Sequence, residues 1–204
     1  MPKVVLLGFS EATIPNDILN FFTVKNQEAH IVNPYEFLNG NYNSTDKFLI
    51  TVTKDQLLRK ELINKLDTDK LERATFIHDT AVINQNAKIG KGSIIWQFVS
   101  ILHHASIGSD CMISPYSMVA HQTNIGLGTI MLPGSMVGGT STIGNHCLLG
   151  LRSSVIDKIN VCDDVIIGAG SLVTKHILYS GRYVGSPARK INVDIDTDTS
   201  YTNT

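Results

Sequence analysis

Large apolar residues recur at every sixth position from Ile77 to Val173 of this 204-residue chain, without a gap or an insertion. The 17 positions are Ile77, Ile83, Ile89, Ile95, Ile101, Ile107, Ile113, Val119, Ile125, Met131, Val137, Ile143, Leu149, Val155, Val161, Ile167 and Val173. In a chain that is 43% hydrophobic, chance would give such a run about once in a million trials per register. A period of six fits neither a helix nor an alternating strand, so it indicates a repeat architecture.

The hexads predict a parallel β-helix with triangular coils, in which each side of a coil takes one hexad. Small side chains precede most of the apolar positions by two residues, and glycines follow four of them at a spacing of 18. These glycines are Gly90, Gly108, Gly126 and Gly144. We expect the apolar residue to point inward, the small residue to fill the tight corner, and the glycine to mark a corner with positive φ. Such prisms resemble the left-handed β-helix, an exception to the right-handed crossover rule. An ordinary β-sandwich would need irregular turns and two-residue alternation instead.

Residues 1–73 show a different pattern, in which short apolar segments alternate with helical ones. The segments "KVVLLG", "AHIVNP" and "KFLITVT" are predicted strands, and "IPNDILNFF" and "TKDQLLRKELINKL" are predicted helices. Thr53 and Gln56 have the spacing of a capping box for the second helix. The alternation predicts a small parallel α/β domain of Rossmann type. The loop at 8–12 lacks a G-x-G-x-x-G fingerprint, so a nucleotide cradle and a plain turn both remain open.

The remaining division of the chain follows from where the hexads begin and end. We expect the β-helix to occupy residues 74–178 and a C-terminal segment to occupy 179–191. Residues 192–204 are polar and aperiodic, which predicts a mobile tail.

Charge and cysteine content exclude several classes of protein. The 17 Lys and Arg residues are scattered and the net charge is −1, which argues against a nucleic-acid-binding protein. No apolar run reaches the length of a membrane span, and the opening segment is too short for a signal peptide. Cys111, Cys147 and Cys162 are too widely spaced to indicate a disulfide framework or a zinc site. We therefore expect a cytoplasmic protein without membrane insertion.

Two histidines fall at equivalent places in the repeat. His121 follows Val119 by two residues and His103 follows Ile101 by two, so the histidines should stack on adjacent coils. Gly139 occupies the same column one coil further on, where we expect open space and a bare backbone N–H beside the imidazole. A base next to an exposed backbone donor is the minimum that acyl transfer requires.

Four segments carry a resemblance to a known family. "SMVAHQTNIG", "PGSMVGGTSTIGNHCLLGLRSSVI", "VIIGAGSLVTK" and "RYVGSPARKI" resemble the sugar acetyltransferases of bacterial surface-glycan pathways. These include the bacillosamine-pathway and perosamine N-acetyltransferases and the sialic-acid O-acetyltransferases. The resemblance covers most of the chain and is strongest from Phe76 to Ile191. It implies a homotrimer with acetyl-CoA in the groove between adjacent prisms.

The resemblance also implies roles for individual residues. His121 matches the catalytic base, and Gly139 matches a position whose backbone contacts the thioester. The other residues implied near CoA are Leu151, Ala169, Pro187 and Arg189, to which we add Lys175 because of its charge. The positions implied for the nucleotide are Gly8, Phe9, Ser10, Asn33, Pro34, Val52 and Thr53. His103 is assigned to the sugar site.

The chain departs from the family pattern in two places. The bacillosamine enzyme has a carboxylate directly after the base, whereas this chain has Gln122, which can orient an imidazole but cannot stabilise its charge. We place Gln122 in the catalytic site beside His121. The Gly-rich opening of the family, with its own histidine, is replaced by "GFSEAT", which leaves the nucleotide and its binding mode open.

The favoured function is direct acetyl transfer from acetyl-CoA to the amine of a nucleotide-linked 4-amino-4,6-dideoxy sugar, with His121 as general base. Three alternatives stay open: O-acetylation of a sugar hydroxyl, a zinc hydratase on the same prism, and a non-catalytic trimeric sugar-binding scaffold. The hydratase pairs two metal-binding histidines five residues apart, and the residue five after His121 is Gly126. We therefore assign no metal-binding residue.

Overall fold

The computed structural model describes residues 3–9, 12–25 and 27–191. The predicted tail at 192–204 and the predicted nucleotide contact at Ser10 lie outside these residues. The chain starts with a three-stranded parallel sheet in the order β2-β1-β3. Its strands are β1 (Val4–Leu7), β2 (Ala29–Val32) and β3 (Lys47–Ile50). This is the α/β arrangement that the alternating pattern predicts.

Three helices accompany this sheet: α1 (Thr13–Val24), α2 (Pro34–Leu38) and α3 (Gln56–Thr68). Helix α2 was not expected; the Asn33 side chain caps it by accepting the Tyr35 N–H. The predicted capping box of α3 is wrong. Asp55 is the N-cap and its carboxylate accepts the Leu58 N–H at 2.9 Å, so the helix begins two residues later than the Thr53 box requires.

From Phe76 onward the chain forms a left-handed parallel β-helix of about six turns. Its three flat sides are called faces 1, 2 and 3. Face 1 contains β4 (Phe76–Ile77), β7 (Ile94–Ile95), β10 (Met112–Ile113), β13 (Ile130–Met131), β16 (Leu148–Leu149) and β19 (Val165–Ile167). Face 2 contains β5 (Val82–Ile83), β8 (Ser100–Ile101), β11 (Met118–Val119), β14 (Met136–Val137), β17 (Ser154–Val155) and β20 (Leu172–Val173). Face 3 contains β6 (Lys88–Ile89), β9 (Ser106–Ile107), β12 (Asn124–Ile125), β15 (Thr142–Ile143) and β18 (Asn160–Val161). A hairpin of β21 (Gly181–Val184) and β22 (Arg189–Ile191) continues face 1 beyond β19.

Two-residue turns join the faces and define three edges of the prism. Edge 1, between faces 1 and 2, contains turns 79–80, 97–98, 115–116, 133–134, 151–152 and 169–170. Edge 2, between faces 2 and 3, contains turns 85–86, 103–104, 121–122, 139–140 and 157–158. Edge 3, between faces 3 and 1, contains turns 91–92, 109–110, 127–128, 145–146 and 163–164. From Gly92 to Gly170, the second residue of each turn has a left-handed φ.

The role predicted for the glycines that follow the apolar residues is wrong. Gly126 is not among the residues with left-handed φ. A Cβ added to Gly126 would lie 2.5 Å from the carbonyl carbon of Gly144 in the next coil, closer than any real contact. Glycine is needed here because successive backbones approach closely, whereas the left-handed positions lie two residues further along.

From Ser93 onward the small residues at the corners are buried, and most of their polar atoms have partners; the Ser153 hydroxyl has none among the described residues. The hydroxyl of Thr123 donates to the carbonyl of Gly138 at 2.8 Å, and that of Thr129 donates to the carbonyl of Gly144 at 2.8 Å. Each hydroxyl thereby joins one coil to the next. The repeat can place a polar atom inside the prism because each coil supplies a carbonyl to receive it.

The N-terminal domain covers face 1 and edge 3. Phe76, on the outer side of face 1, packs edge-to-face against Phe21 of α1 with ring centroids 4.7 Å apart. On edge 3, the buried Arg73 guanidinium binds both carboxylate oxygens of Asp110 at 3.0 and 2.9 Å. Arg59 of α3 donates to the backbone carbonyl of Asp110 as well. Burying these charges is tolerable because each faces an opposite charge or a carbonyl. No described helix has the length and apolarity needed to cross a membrane.

Replacing Gly126 by Ala should destabilise the β-helix by about 2–3 kcal/mol, because the added methyl group meets backbone atoms that cannot move independently. Thermal unfolding would measure this loss. Gly40→Ala is the matched control, since nothing lies within 4 Å of its Cβ position and only its φ of +88° opposes the change. An equal effect of the two substitutions would contradict the close-approach explanation.

Candidate functional site

Edge 2 carries a column of aligned side chains on successive coils: Gln85, His103, His121, Gly139, Asp157 and Lys175. The rings of His103 and His121 are stacked, with centroids 5.5 Å apart and planes 13° from parallel. This confirms the predicted histidine column. His103 is exposed and His121 is half-buried. Among the described residues, neither ring nitrogen of His121 has a hydrogen-bond partner, so the ring can accept a proton from a bound molecule.

Gly139 provides the space that the His121 ring occupies. A Cβ at Gly139 would lie 2.6 Å from the Nε2 atom of His121 and 2.7 Å from its Cε1 atom. The imidazole therefore leans toward the next coil, against a backbone without a side chain. Any larger residue at this position would move the ring.

The bare backbone N–H that the sequence predicted at Gly139 is not bare. It donates to the Oδ1 atom of Asp157 at 2.7 Å. The same contact occurs on edge 3, where the Leu127 N–H donates to the side chain of Asn145 at 2.9 Å. In both turns the first N–H takes a side-chain acceptor from the next coil, because buried backbone donors need partners.

Gln122 lies directly after His121 but does not contact it through any hydrogen bond among the described residues. Its φ is 56° and its side chain is exposed, while its backbone N–H donates to the carbonyl of His103 at 3.1 Å. The orientation of the imidazole is thus set by stacking on His103 and by the space at Gly139.

Four of the predicted CoA contacts lie on edge 1 or in the hairpin beyond it, rather than beside His121. Leu151 is half-exposed, and Ala169 lies in the same column one coil further on. The hairpin β21–β22 places Pro187 above Ala169: the Gly168 N–H donates to Tyr183 at 2.8 Å, and the Ala188 N–H donates to Leu172 at 2.7 Å. Arg189 opens β22 and is exposed.

Lys175, like Gly139, is a predicted CoA contact that shares edge 2 with His121. It is exposed and lies three coils further along, about 14 Å at the usual spacing of parallel strands. The larger separation is between the two edges. Face 2 is about five strand residues wide, so His121 on edge 2 lies about 16 Å or more from the edge 1 residues of the same chain. A single chain therefore does not bring the two halves of the predicted site together.

The predicted nucleotide contacts gather at the carboxyl end of the N-terminal sheet, where ligands of α/β folds bind. Gly8 and Phe9 follow β1, Asn33 and Pro34 follow β2, and Val52 and Thr53 follow β3. Not all are available to a ligand, because Pro34 and Val52 are buried and the Asn33 side chain caps α2.

Tyr35 is a residue of this sheet edge that the sequence analysis missed. Its ring lies 6.1 Å from that of Phe9 and is 54% exposed. Only its place in "NPYEF", directly after the second strand, could have indicated it.

Nearby, Arg59 donates to the carbonyl of Val52 at 2.9 Å and to that of Asp110. This arginine fixes the nucleotide-side loop against edge 3.

A shallow cavity of about 450 Å³ lies at the N-terminal end of edge 2. It is lined by Gln85, Asn86, Ala87, Lys88 and His104. The ring of His104 lies 5.7 Å from that of His103, so the cavity adjoins the histidine column. The repeat could have indicated Gln85, which precedes His103 by one coil.

The buried cysteine thiols are inert. Burial raises the pKa of the Cys111 and Cys147 thiols to about 12, so neither supplies a thiolate nucleophile near neutral pH. Within residues 3–9, 12–25 and 27–191, no three His, Cys, Asp or Glu side chains come together as a metal ion would require.

The coils, turns and N-terminal domain define a hexapeptide-repeat β-helix protein. Residues 141–175 match a family model described as the hexapeptide repeat of succinyl-transferase. Among solved structures, the chain is similar to PerB from Caulobacter crescentus in complex with CoA and GDP-perosamine. The two share 20% identity and a TM-score of 0.79, covering 93% of this chain and 97% of that one.

Two further solved structures are similar, one over nearly the whole chain and one over part of it. The acetyltransferase domain of PglB from Neisseria gonorrhoeae has a TM-score of 0.83 at 15% identity, with 94% of this chain and 100% of that chain covered. AntD, an N-acyltransferase from Bacillus cereus, matches with a TM-score of 0.54 at 19% identity, covering 57% of this chain and 79% of that one. Its structure contains dTDP-4-amino-4,6-dideoxyglucose and coenzyme A. These likenesses establish the fold.

Gly139→Ala should displace the His121 ring and break its stack on His103, because the new methyl group would lie 2.6 Å from Nε2. Histidine ring resonances in NMR spectra would report this change. Thr140→Ala, in the same turn and exposed, is the control. Unchanged ring resonances in Gly139→Ala would contradict the packing described.

Proposed function

We propose that the protein is an acetyl-CoA-dependent N-acetyltransferase acting on a nucleotide-linked 4-amino-4,6-dideoxy sugar. The observation that carries the proposal is the half-buried His121 ring, stacked on His103 and leaning over Gly139, with its nitrogens unpartnered among the described residues. The fold supports it, since similar structures hold CoA with GDP-perosamine or with dTDP-4-amino-4,6-dideoxyglucose.

In the proposed mechanism, a ring nitrogen of His121 accepts a proton from the sugar amine as that nitrogen attacks the thioester carbonyl. A C–N bond forms, the C–S bond of acetyl-CoA breaks, and the departing sulfur takes up the proton. Transfer is direct because the two substrates, aligned in one cleft, need no intermediate on the enzyme. The buried, protonated thiols of Cys111 and Cys147 are consistent with this route.

The acyl oxygen is proposed to accept a hydrogen bond from the Gly139 N–H. Asp157 occupies that donor at 2.7 Å, and a carboxylate there would repel an oxyanion. Since Asp157 is exposed, its side chain can turn away when acetyl-CoA arrives. The Gly139 N–H is therefore released from Asp157 when acetyl-CoA binds, and the oxyanion hole is not preformed.

A homotrimer completes the site in this proposal. The two edges that carry the predicted contacts flank face 2, and the outer side of face 2 is apolar: Val82 is 64% exposed and Met136 is 44% exposed. Exposed apolar surface of this kind favours association. Three prisms arranged around face 2 would place edge 1 of each copy against edge 2 of the next.

The two substrates then occupy opposite parts of edge 2. CoA extends from His121 toward Lys175, against Leu151, Ala169, Pro187 and Arg189 of the next copy. The sugar lies on the other side of His121, toward His103 and the cavity beside His104, whose polar lining suits hydroxyl groups. Gly8, Phe9, Ser10, Asn33 and Thr53 remain the proposed nucleotide loops, with Pro34 and Val52 supporting them.

His121→Asn should lower kcat by about 10²–10⁴ while leaving CoA affinity unchanged, because it removes the base but keeps a side chain of similar size. Steady-state kinetics and calorimetric titration with CoA would measure both. His30→Asn, an exposed histidine of β2, is the control. Turnover close to that of the wild type would rule out His121 as the base.

The acceptor is tested separately, by supplying acetyl-CoA with UDP-, dTDP- and GDP-linked 4-amino-4,6-dideoxy sugars and with sialic acid, and following release of free thiol. Turnover of one amino sugar supports the proposal. Turnover of sialic acid alone would favour O-acetylation. Absence of CoA binding would favour a sugar-binding scaffold.

Asp157→Ala should raise kcat/KM for acetyl-CoA severalfold, because it frees the Gly139 N–H, at a cost of about 1 kcal/mol in the free energy of unfolding. Asp163→Ala is the matched control: its carboxylate accepts the Asn145 N–H at 2.7 Å on edge 3, so only stability should change. A fall in kcat/KM for Asp157→Ala would contradict the proposed exchange.

A further inference from the structure

Edge 1 presents an exposed aromatic pair at the level of the two histidines. The rings of Phe98 and Tyr116 are stacked, with centroids 5.1 Å apart and planes 19° from parallel. Phe98 is 51% exposed and Tyr116 is 63% exposed. Large apolar rings are normally placed in a core, so a stacked pair left open to solvent indicates a surface that another molecule covers.

The backbone at both residues is strained. Phe98 has a φ of 57° and Tyr116 a φ of 61°, in the left-handed region that costs a bulky residue about 1–2 kcal/mol. The equivalent turn positions further along edge 1 hold Gly134, Arg152 and Gly170, where φ is 72°, 53° and 66°. The turn requires a left-handed φ but accepts glycine or a charged side chain, so local folding does not explain aromatic residues there.

The positions of the two rings along the prism axis indicate what the pair would face in an assembly. Phe98 lies in the same coil as His103, and Tyr116 lies in the same coil as His121. Rotation about an axis parallel to the prism preserves height, so in a closed assembly around face 2 the pair on one copy faces the histidines on the next.

We infer that Phe98 and Tyr116 of one copy form the wall of the sugar site opposite His103 and His121 of a second copy, and that this wall selects an acceptor with an apolar C6 methyl group. The inference rests on the proposed function. The faces of the two rings contact a methyl group favourably, whereas a C6 hydroxyl packed on those faces would lose water without gaining a hydrogen bond from the ring carbons. The pair therefore acts as a specificity determinant, while His121 performs the proton transfer.

The double variant Phe98→Gly/Tyr116→Gly tests this wall without disturbing the fold. Glycine relieves the left-handed strain, so the melting temperature should stay near that of the wild type. With the best amino sugar of the panel above, KM for the sugar should rise about tenfold, as expected from the loss of aromatic contacts. KM for acetyl-CoA should change less than about twofold.

Selectivity gives a second measurement on the same variant. The wild type should prefer the 6-deoxy acceptor over its 6-hydroxy analogue by about tenfold or more in kcat/KM, and the double variant should lose that preference. Lys70→Gly is the matched control, because Lys70 is exposed, has a φ of 53° and lies outside the β-helix. A wild type that is active, with a double variant of unchanged KM and selectivity, would overturn the inference while leaving the proposed function intact.

A cross-linking measurement tests the contact between copies without relying on turnover. Tyr116→Cys and Gln122→Cys, combined in a Cys162→Ser background, should be joined between chains by a short bis-maleimide and give covalent oligomers on denaturing gels. Within one chain the two positions are six residues, or about 20 Å, apart across face 2, too far for such a reagent. Absence of covalent oligomers would overturn the inference. If the wild type acetylates nothing in the panel yet the oligomers form, the proposed function fails and the edge-to-edge contact stands.

Discussion

The structure depends on the close approach of one coil's backbone to the next. Parallel strands of two residues pair at every face, and the inward apolar residue of each hexad stacks on its equivalents above and below. Any side chain at Gly126 would meet the next coil, and the hydroxyl of Thr123 reaches a carbonyl there. Since every coil fixes its neighbours in this way, side chains 18 positions apart are held in straight columns.

Because of these columns, residues far apart in the sequence form continuous surfaces along the edges of the prism. On edge 2 this geometry stacks His103 on His121 and places Gly139 against the imidazole. It also brings Asp157 close enough to accept the Gly139 N–H. On edge 1 it aligns Leu151 with Ala169, and Phe98 with Tyr116. Face 2 keeps these two sets apart in one chain, so the chemistry proposed here belongs to an assembly. In the proposed assembly, the rigid coil would set the heights at which the edges of neighbouring copies meet.

The sequence predicted the repeating parts well because each hexad obeys one local rule. The inward residues, the small corner residues and the stacked histidines all follow from counting by six.

The reason given for Gly126 was wrong, because sequence spacing cannot separate a requirement for positive φ from close contact between backbones. The bare N–H expected at Gly139 was also wrong: its acceptor, Asp157, lies 18 residues away and was not considered as a partner. Outside the repeat, the Thr53 capping box failed because Asp55, a competing cap, stands two residues later. Tyr35 went unnoticed because nothing periodic marks a sheet edge.

The hairpin at the C-terminal end of the prism has a consequence for solubility. A β-helix would otherwise end in an open coil whose unpaired backbone groups could join the first coil of another molecule. Here β21 pairs with β19 in parallel and β22 then runs antiparallel to β21, so the regular winding stops. At the opposite end, Phe76 lies under the aromatic rings of α1. The hairpin and helix α1 thus interrupt the regular winding at each end of the prism, which disfavours end-to-end stacking of one prism on another.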